Sequence, residues 1–256
     1  MFRHAIVRQP GENFADGLTA GKLGPPDFRL ALSQHVAYCK ALEDCGVELV
    51  RLSPDLAHPD STFVEDTAVL TSRCAIFTRP GAASRLGEVA AIRDPIHCFY
   101  SIVHEIEPPG TLDGGDICEA GSHFFIGVSN RTNEDGARQL GRILSADGFT
   151  WSTVDILDVP SILHLKSGIA FLDKNNLLVM EEMAVRKEFS GYNLVRVTAA
   201  ENYGCNCVPV NDRVLIPSGF PGLQAEMVRR GYQPLPLDMS EFRKMDGGLS
   251  CLSLRF

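Results

Sequence analysis

Residues 117–156 read ICEAGSHFFIGVSNRTNEDGARQLGRILSADGFTWSTVDI. Two short apolar runs, 117–119 and 124–127, flank the turn Ala120-Gly121-Ser122 and predict a β-hairpin. Thr132 can then cap a helix with Glu134 and Asp135 in its first turn and Ala137, Leu140, Ile143 and Leu144 on one face. A β-type stretch at 150–156 reads as a third strand. The order strand, turn, strand, helix, strand decides the fold, because the chain repeats it.

Working outward, hairpins are predicted at 67–70 with 75–78, 169–172 with 177–180, and 208–210 with 214–216. Thr71-Ser72-Arg73, Asp173-Lys174-Asn175-Asn176 and Asn211-Asp212-Arg213 supply the turns. An N-terminal helix starts after Asp27, buries Leu32, Val36, Cys39 and Leu42, and stops at Gly46. Another begins near Pro221, carries Leu223, Met227 and Val228, and ends at Gly231. Residues 182–189 form the weakest helical pattern. Third strands fall at 47–52, 101–106, 150–156, 193–197 and 233–237.

Five third strands need five hairpins, and the missing one can be made by pairing the C-terminal 251–256 with the N-terminal 4–7. The expected fold is therefore α/β: a five-unit ββαβ propeller-like ring, closed by its two ends, within a single domain spanning 1–256. A Rossmann-type sheet fits less well, since there is no G-x-G-x-x-G and the hairpins are too many.

The 256 residues carry 24 Lys+Arg against 32 Asp+Glu, a net charge of −8. This argues against nucleic acid as a partner and for a small cationic or zwitterionic ligand. Residues 1–10 are interrupted by Arg3, His4 and Arg8 and do not resemble a signal peptide, and no apolar run is long enough to span a bilayer. A cytoplasmic location with reduced thiols is expected, so most of the eight cysteines are read as small buried hydrophobes rather than a disulfide framework. The oligomeric state is open, with a homodimer among the options.

One loop of each unit, between the third strand and the next hairpin, collects the reactive side chains. These loops hold Asp60, Glu65 and Asp66; Asp113 and Asp116; His164; Gly204-Cys205-Asn206; and Asp246, which leads into Cys251. Each has a bland reading: a core cysteine, a structural histidine, acidic turn residues, or glycines supplying positive φ. Equivalent loops of a ring share one end, however, and independent decoration would scatter over both.

A thiolate nucleophile needs an acid/base and a group to orient it, roles that Cys251, His164 and Asp113 can fill. The remaining acids, Asp60, Glu65, Asp66 and Asp246, suit a planar guanidinium. A divalent metal is the lesser use for them, because a key cysteine fits hard cations badly. No metal and no cofactor is expected.

The chain resembles the dimethylarginine dimethylaminohydrolase family of the guanidine-modifying superfamily, whose fold is the five-bladed pentein. The resemblance runs through Asp16-Gly17-Leu18-Thr19, Phe63-Val64-Glu65-Asp66, Thr78-Arg79-Pro80-Gly81 with Ser84-Arg85, and Leu112-Asp113-Gly114-Gly115-Asp116-Ile117. It continues through Arg131-Thr132-Asn133, Leu163-His164-Leu165-Lys166 and Asp246-Gly247-Gly248-Leu249-Ser250-Cys251, covering essentially the whole sequence.

The resemblance implies that Cys251 is the nucleophile, His164 the general acid/base and Asp113 its orienting group, where some relatives carry Glu. It further implies substrate contacts from Phe63, Asp60, Glu65 and Asp66, an α-carboxylate held by Arg85 and Arg131, backbone contacts at Leu18 and Met245, and Asp246 near the nucleophile. The implied reaction is hydrolysis of asymmetric dimethylarginine or monomethylarginine to citrulline and an amine through a cysteine thiouronium. Arginine deiminase acting on free arginine, and a non-catalytic binding ring, are the alternatives. The glycine-rich loop 9–24 can be either a moving lid or a static surface loop.

Overall fold

A computed structural model describes all 256 residues. The strands in chain order are β1 (His4–Arg8), β2 (Glu48–Leu52), β3 (Ala68–Leu70), β4 (Ala75–Phe77), β5 (Val103–Glu105), β6 (Ile117–Ala120), β7 (His123–Val128) and β8 (Thr150–Asp155). They continue as β9 (Ile169–Asp173), β10 (Asn176–Met180), β11 (Asn193–Val197), β12 (Val208–Val210), β13 (Arg213–Pro217), β14 (Pro234–Leu237) and β15 (Leu254–Arg255). The helices are α1 (Phe28–Asp44), α2 (Ala90–His97), α3 (Glu134–Ala146), α4 (Pro221–Arg229) and the single turn α5 (Ser240–Arg243).

These strands form five three-stranded sheets with one recurring rule: the middle strand is antiparallel to one neighbour and parallel to the other. The antiparallel partner comes from a hairpin. The parallel one needs a crossover, which the intervening helix or turn supplies. The fifth sheet is closed by the chain ends, as the strand count requires: β15 pairs antiparallel with β1 through Ala5↔Arg255 and Ile6↔Leu254.

The chain divides into two compact units, Met1–Val64 with Asn206–Phe256, and Glu65–Cys205. The first contains the sheets β15-β1-β2 and β12-β13-β14; the second contains the other three. Within the second unit, α3 lays Ala137, Leu140 and Leu144 against Ile76, Ile117, Phe124 and Ile126, all buried. Each fully buried leucine there stabilises the fold by roughly 1.5–3 kcal/mol.

Local details depart from the sequence expectations. Asn133, not Thr132, caps α3 by accepting the Gly136 N–H at 2.8 Å. Thr132 instead turns inward and accepts the Asp113 N–H at 3.1 Å. Asp27 caps α1 as expected, but that helix buries Ala31, Gln34, His35 and Tyr38 beside Cys39 and Leu42, while Val36 is exposed. Polar groups with partners, such as Gln34 with Ser240, displace the simple apolar stripe. Val228 of α4 is likewise exposed.

The stretch 182–189 forms two 3-10 turns, Glu181–Met183 and Lys187–Phe189, rather than a helix. Cys251 lies in a 3-10 turn, Ser250–Leu252, three residues ahead of its strand. No helix is long and apolar enough to cross a membrane.

Candidate active site

A 3-10 turn precedes the first strand of each hairpin: Val64–Thr67, Gly114–Asp116, Leu165–Ser167, Ala199–Cys205 and Ser250–Leu252. These tight turns place side chains at strand entrances. All five carry or flank a residue singled out in the sequence.

In the unit Glu65–Cys205, Asp113 and His164 stand immediately before two such turns, both with extended backbone. His164 Nε2 lies 3.0 Å from Asp113 Oδ2, and both residues are buried. The other Asp113 oxygen accepts the Gly81 N–H at 2.8 Å, so the carboxylate is fixed at both ends. With a carboxylate at Nε2, chemistry assigns a proton to that nitrogen. The short aspartate side chain therefore reaches the imidazole.

Gly115 makes the site compact by close approach rather than by a left-handed φ. A Cβ there would lie 2.7 Å from His164 Nδ1 and 2.8 Å from Asp66 Oδ1. Its N–H instead donates to Asp66 Oδ1 at 2.8 Å. Asp66 Oδ2 accepts Arg85 Nη1 at 2.5 Å, and Arg85 Nε and Nη2 grip Glu88 at 3.0 and 2.7 Å. Next to His164-Leu165, the Lys166 ammonium pairs with Glu65 at 2.6 Å.

These charges tune one another. Burial pulls His164 down, but Asp66, the Asp113 hydrogen bond and Asp116 outweigh it and push the imidazole up to about 9. Burial pushes Asp66 up, yet His164, Arg85 and the Gly115 N–H together hold it down at about 2. Burial dominates at Asp116, raising it to about 6 against His164, Ser129, Thr132 and the Leu165 N–H. At neutral pH His164 is accordingly an imidazolium, poised to give a proton.

Ligand atoms of Asp66, Asp113 and His164 lie within 4.8 Å of one another, a spacing that a metal ion could also use. Their oxygens are already taken by Gly81, Gly115, Arg85 and His164, so a cation would compete with the guanidinium of Arg85.

In the other unit, Cys251 is 8% exposed, and the Gly248 N–H points at its sulfur at 3.4 Å. An N–H directed at sulfur favours the thiolate. The turn is held by Asn206, whose Oδ1 accepts the Ser250 N–H at 2.8 Å and whose Nδ2 donates to Ser250 Oγ at 3.1 Å. Gly248 is required at this approach, because a Cβ would lie 2.4 Å from the Asn206 amide carbon.

Asp246 has φ +57 and accepts the Ala20 N–H at 2.6 Å, with Thr19 Oγ1 at 3.2 Å. Asp60 accepts the Leu18 N–H at 3.0 and 3.2 Å through its two oxygens. Two acids thus hold the loop that carries Leu18. Phe63, Phe14 and Phe242 pack together with ring centroids 5.4–6.3 Å apart, and Met245 is buried and donates its N–H to the Phe242 carbonyl at 3.0 Å.

Glu65, Asp66, Arg85, Asp113, Arg131 and His164 thus belong to one unit; Leu18, Asp60, Phe63, Met245, Asp246 and Cys251 belong to the other. The two arginines differ. Arg131 is half-buried, whereas Arg85 is buried and already flanked by two carboxylates. Asp246 holds a loop through its Oδ2. Glu88, Lys166, Thr132 and Asn206 were not foreseen as supports. The spacing Arg85-x-x-Glu88 was the one signal that could have revealed a pair.

A family model described as arginine deiminase matches residues 93–203. The N(G),N(G)-dimethylarginine dimethylaminohydrolase of Pseudomonas aeruginosa is 48% identical over 257 residues, covering 100% of both chains. A solved structure of DDAH from Pseudomonas aeruginosa, a cysteine-to-serine mutant complexed with citrulline, matches with TM-score 0.97 and 47% identity over 100% of each chain. A dimethylarginine dimethylaminohydrolase with histidine replaced by glycine, solved as an adduct with S-methyl-L-thiocitrulline, matches with TM-score 0.96 at 47% identity, again over 100% of each. The fold is the α/β pentein fold of these structures, and the chain belongs to the dimethylarginine dimethylaminohydrolase family.

Proposed function

We propose that this chain hydrolyses asymmetric dimethylarginine and monomethylarginine to citrulline, releasing dimethylamine or methylamine. The observation that carries the mechanism is the buried pair of His164 Nε2 and Asp113 Oδ2, 3.0 Å apart; the neighbouring acids Asp66 and Asp113 favour the charged form of that imidazole. That a cysteine-to-serine form in the family is complexed with citrulline, and a histidine-to-glycine form is an adduct with S-methyl-L-thiocitrulline, supports the same pair of roles here.

The Cys251 thiolate attacks the guanidinium carbon and forms a C–S bond. His164 gives its proton to the departing nitrogen, the C–N bond breaks, and a thiouronium remains on the enzyme. Neutral His164 then takes a proton from water as the oxygen attacks the same carbon. The C–S bond breaks, the thiolate returns and citrulline leaves. Asp113 keeps the imidazole oriented through both halves.

Asp60, Glu65, Asp66 and Phe63 surround the guanidinium and its neighbouring carbons. Because the Leu18 N–H is committed to Asp60, Leu18 contributes its carbonyl, as does Met245, toward the ammonium end. Arg131 is the principal α-carboxylate partner, since a carboxylate at Arg85 would join two that are already there. Asp246 serves by holding the Leu18 loop. We read 1–256 as one catalytic domain, and place it in the cytoplasm with its eight thiols free.

Incubation with asymmetric dimethylarginine, monomethylarginine or arginine, with citrulline and amine measured together, tests this reading. Equimolar citrulline and dimethylamine is the expected result. Faster turnover of arginine would make the chain a deiminase, and no turnover of any would make it a binding protein.

A further inference from the structure

The catalytic histidine and the carboxylate-binding arginine are tied to a third residue that touches neither the imidazole nor the guanidinium. Asp116 ends the Gly114–Asp116 turn and is fully buried. Its Oδ1 accepts the Leu165 N–H at 2.9 Å, which pins the backbone immediately after His164 and starts the turn Leu165–Ser167. Its Oδ2 accepts the Ser129 hydroxyl at 2.7 Å. Ser129 Oγ in turn accepts the N–H groups of Arg131 and Thr132 at 3.0 and 3.1 Å. Thr132 hydrogen-bonds Asp116 as well, and its Oγ1 receives the Asp113 N–H.

We propose that Asp116 is a positioning residue that fixes, through one buried carboxylate, the His164 segment, the Arg131 segment and the main chain of Asp113. The proposal rests on the roles given above to His164 and Arg131. A carboxylate suits this node because it has lone pairs for all these donors and no proton to offer, so every neighbour must point toward it. Its cost is the burial of a charge, which the converging donors and the charge on His164 offset only in part. Asp116 also acts at a distance on proton transfer: with Asp66 and Asp113 it is one of three acids that favour the charged imidazole.

Asp116→Asn tests both arms. The amide oxygen can still accept the Leu165 N–H, but the amide nitrogen cannot accept the Ser129 hydroxyl proton, and the charge is gone. In the folded variant, kcat should fall about tenfold or more through misplacement. KM should rise, and the His164 titration midpoint followed by NMR should drop by about one unit. Ser129→Ala isolates the Arg131 arm and should raise KM while moving the His164 midpoint much less. A folded Asp116→Asn with unchanged kcat, KM and midpoint would overturn the proposal, and an unchanged KM in Ser129→Ala would overturn the link to Arg131. The titration needs no turnover, so inactive wild-type protein would sink the functional reading while still leaving the Asp116–His164 coupling measurable.

Discussion

Asp113 grips His164 from a position that is itself gripped: one carboxylate oxygen meets Nε2 at 3.0 Å and the other receives the Gly81 N–H at 2.8 Å. The acid is therefore an orienting group with little freedom of its own. Asp113→Asn preserves the shape but removes the charge and admits the wrong imidazole tautomer. Steady-state assay should show kcat lower by roughly 10²–10⁴-fold with KM changed much less. A drop confined to KM would place Asp113 in binding instead.

Proton release from His164 should set the alkaline limit of the reaction. Its folded value of about 9 lies above the ordinary 6.5, so the acid needed in the first half is present below that point and lost as pH rises through it. The kcat/KM profile for dimethylarginine should fall on the alkaline side near pH 9; a fall centred near 6.5 would show that the surrounding acids do not act on it. Linkage gives the same sign for folding. The contribution of about 3 kcal/mol is fully present below pH 6.5 and disappears as pH rises through about 9, readable as a declining urea midpoint. Asp66 works in reverse, stabilising above pH 3.8 and ceasing to do so as pH falls through about 2.

Gly115→Ala should be costly although its backbone is unstrained. The added methyl meets His164 and Asp66 inside 3 Å, and one of them must move. Stability should fall by about 1–3 kcal/mol, and kcat should fall further than that loss of folded protein explains. Wild-type kcat in the variant would show that the imidazole tolerates displacement.

The loop bearing Leu18 hangs on two acids, Asp60 and Asp246. Asp246→Gly removes one without straining a backbone at φ +57, since glycine accepts that region. Amide exchange at Ala20 should accelerate and KM should rise. Unchanged exchange would show that the loop is held by other contacts.

Among eight free cysteines only Cys98 is exposed, and Cys251 is buried. Iodoacetamide should label both, with dimethylarginine protecting Cys251 alone and preserving activity. Inactivation that tracks Cys98 labelling would contradict the assignment of the nucleophile.

The sheets were legible because each hairpin combines β-type runs with turn residues of fixed chemistry, and because an unpaired fifth strand forced the ends together. Burial by pairing was not legible. Tyr38 enters the core with its hydroxyl 2.6 Å from Ser253 Oγ, 215 residues away, which no local apolar pattern encodes. Residues 182–189 kept a buried face on 3-10 turns, where a helical period was expected. At the site, the residue types pointed to Cys251, His164 and Asp113, whereas their supports did not stand out. Glu88, Lys166 and Asn206 act by meeting partners distant in the chain or by neutralising charge, and such residues look ordinary until the fold supplies the partner.

The central claim is covalent catalysis at one cysteine. Rapid acid quench of the protein turning over asymmetric dimethylarginine, followed by peptide mass spectrometry, tests it most directly. A transient addition equal to the substrate less dimethylamine is expected on the Cys251 peptide, absent from the other seven cysteines and from Cys251→Ser, which should release no citrulline. Sustained citrulline release by Cys251→Ser, or the adduct on another cysteine, would contradict it.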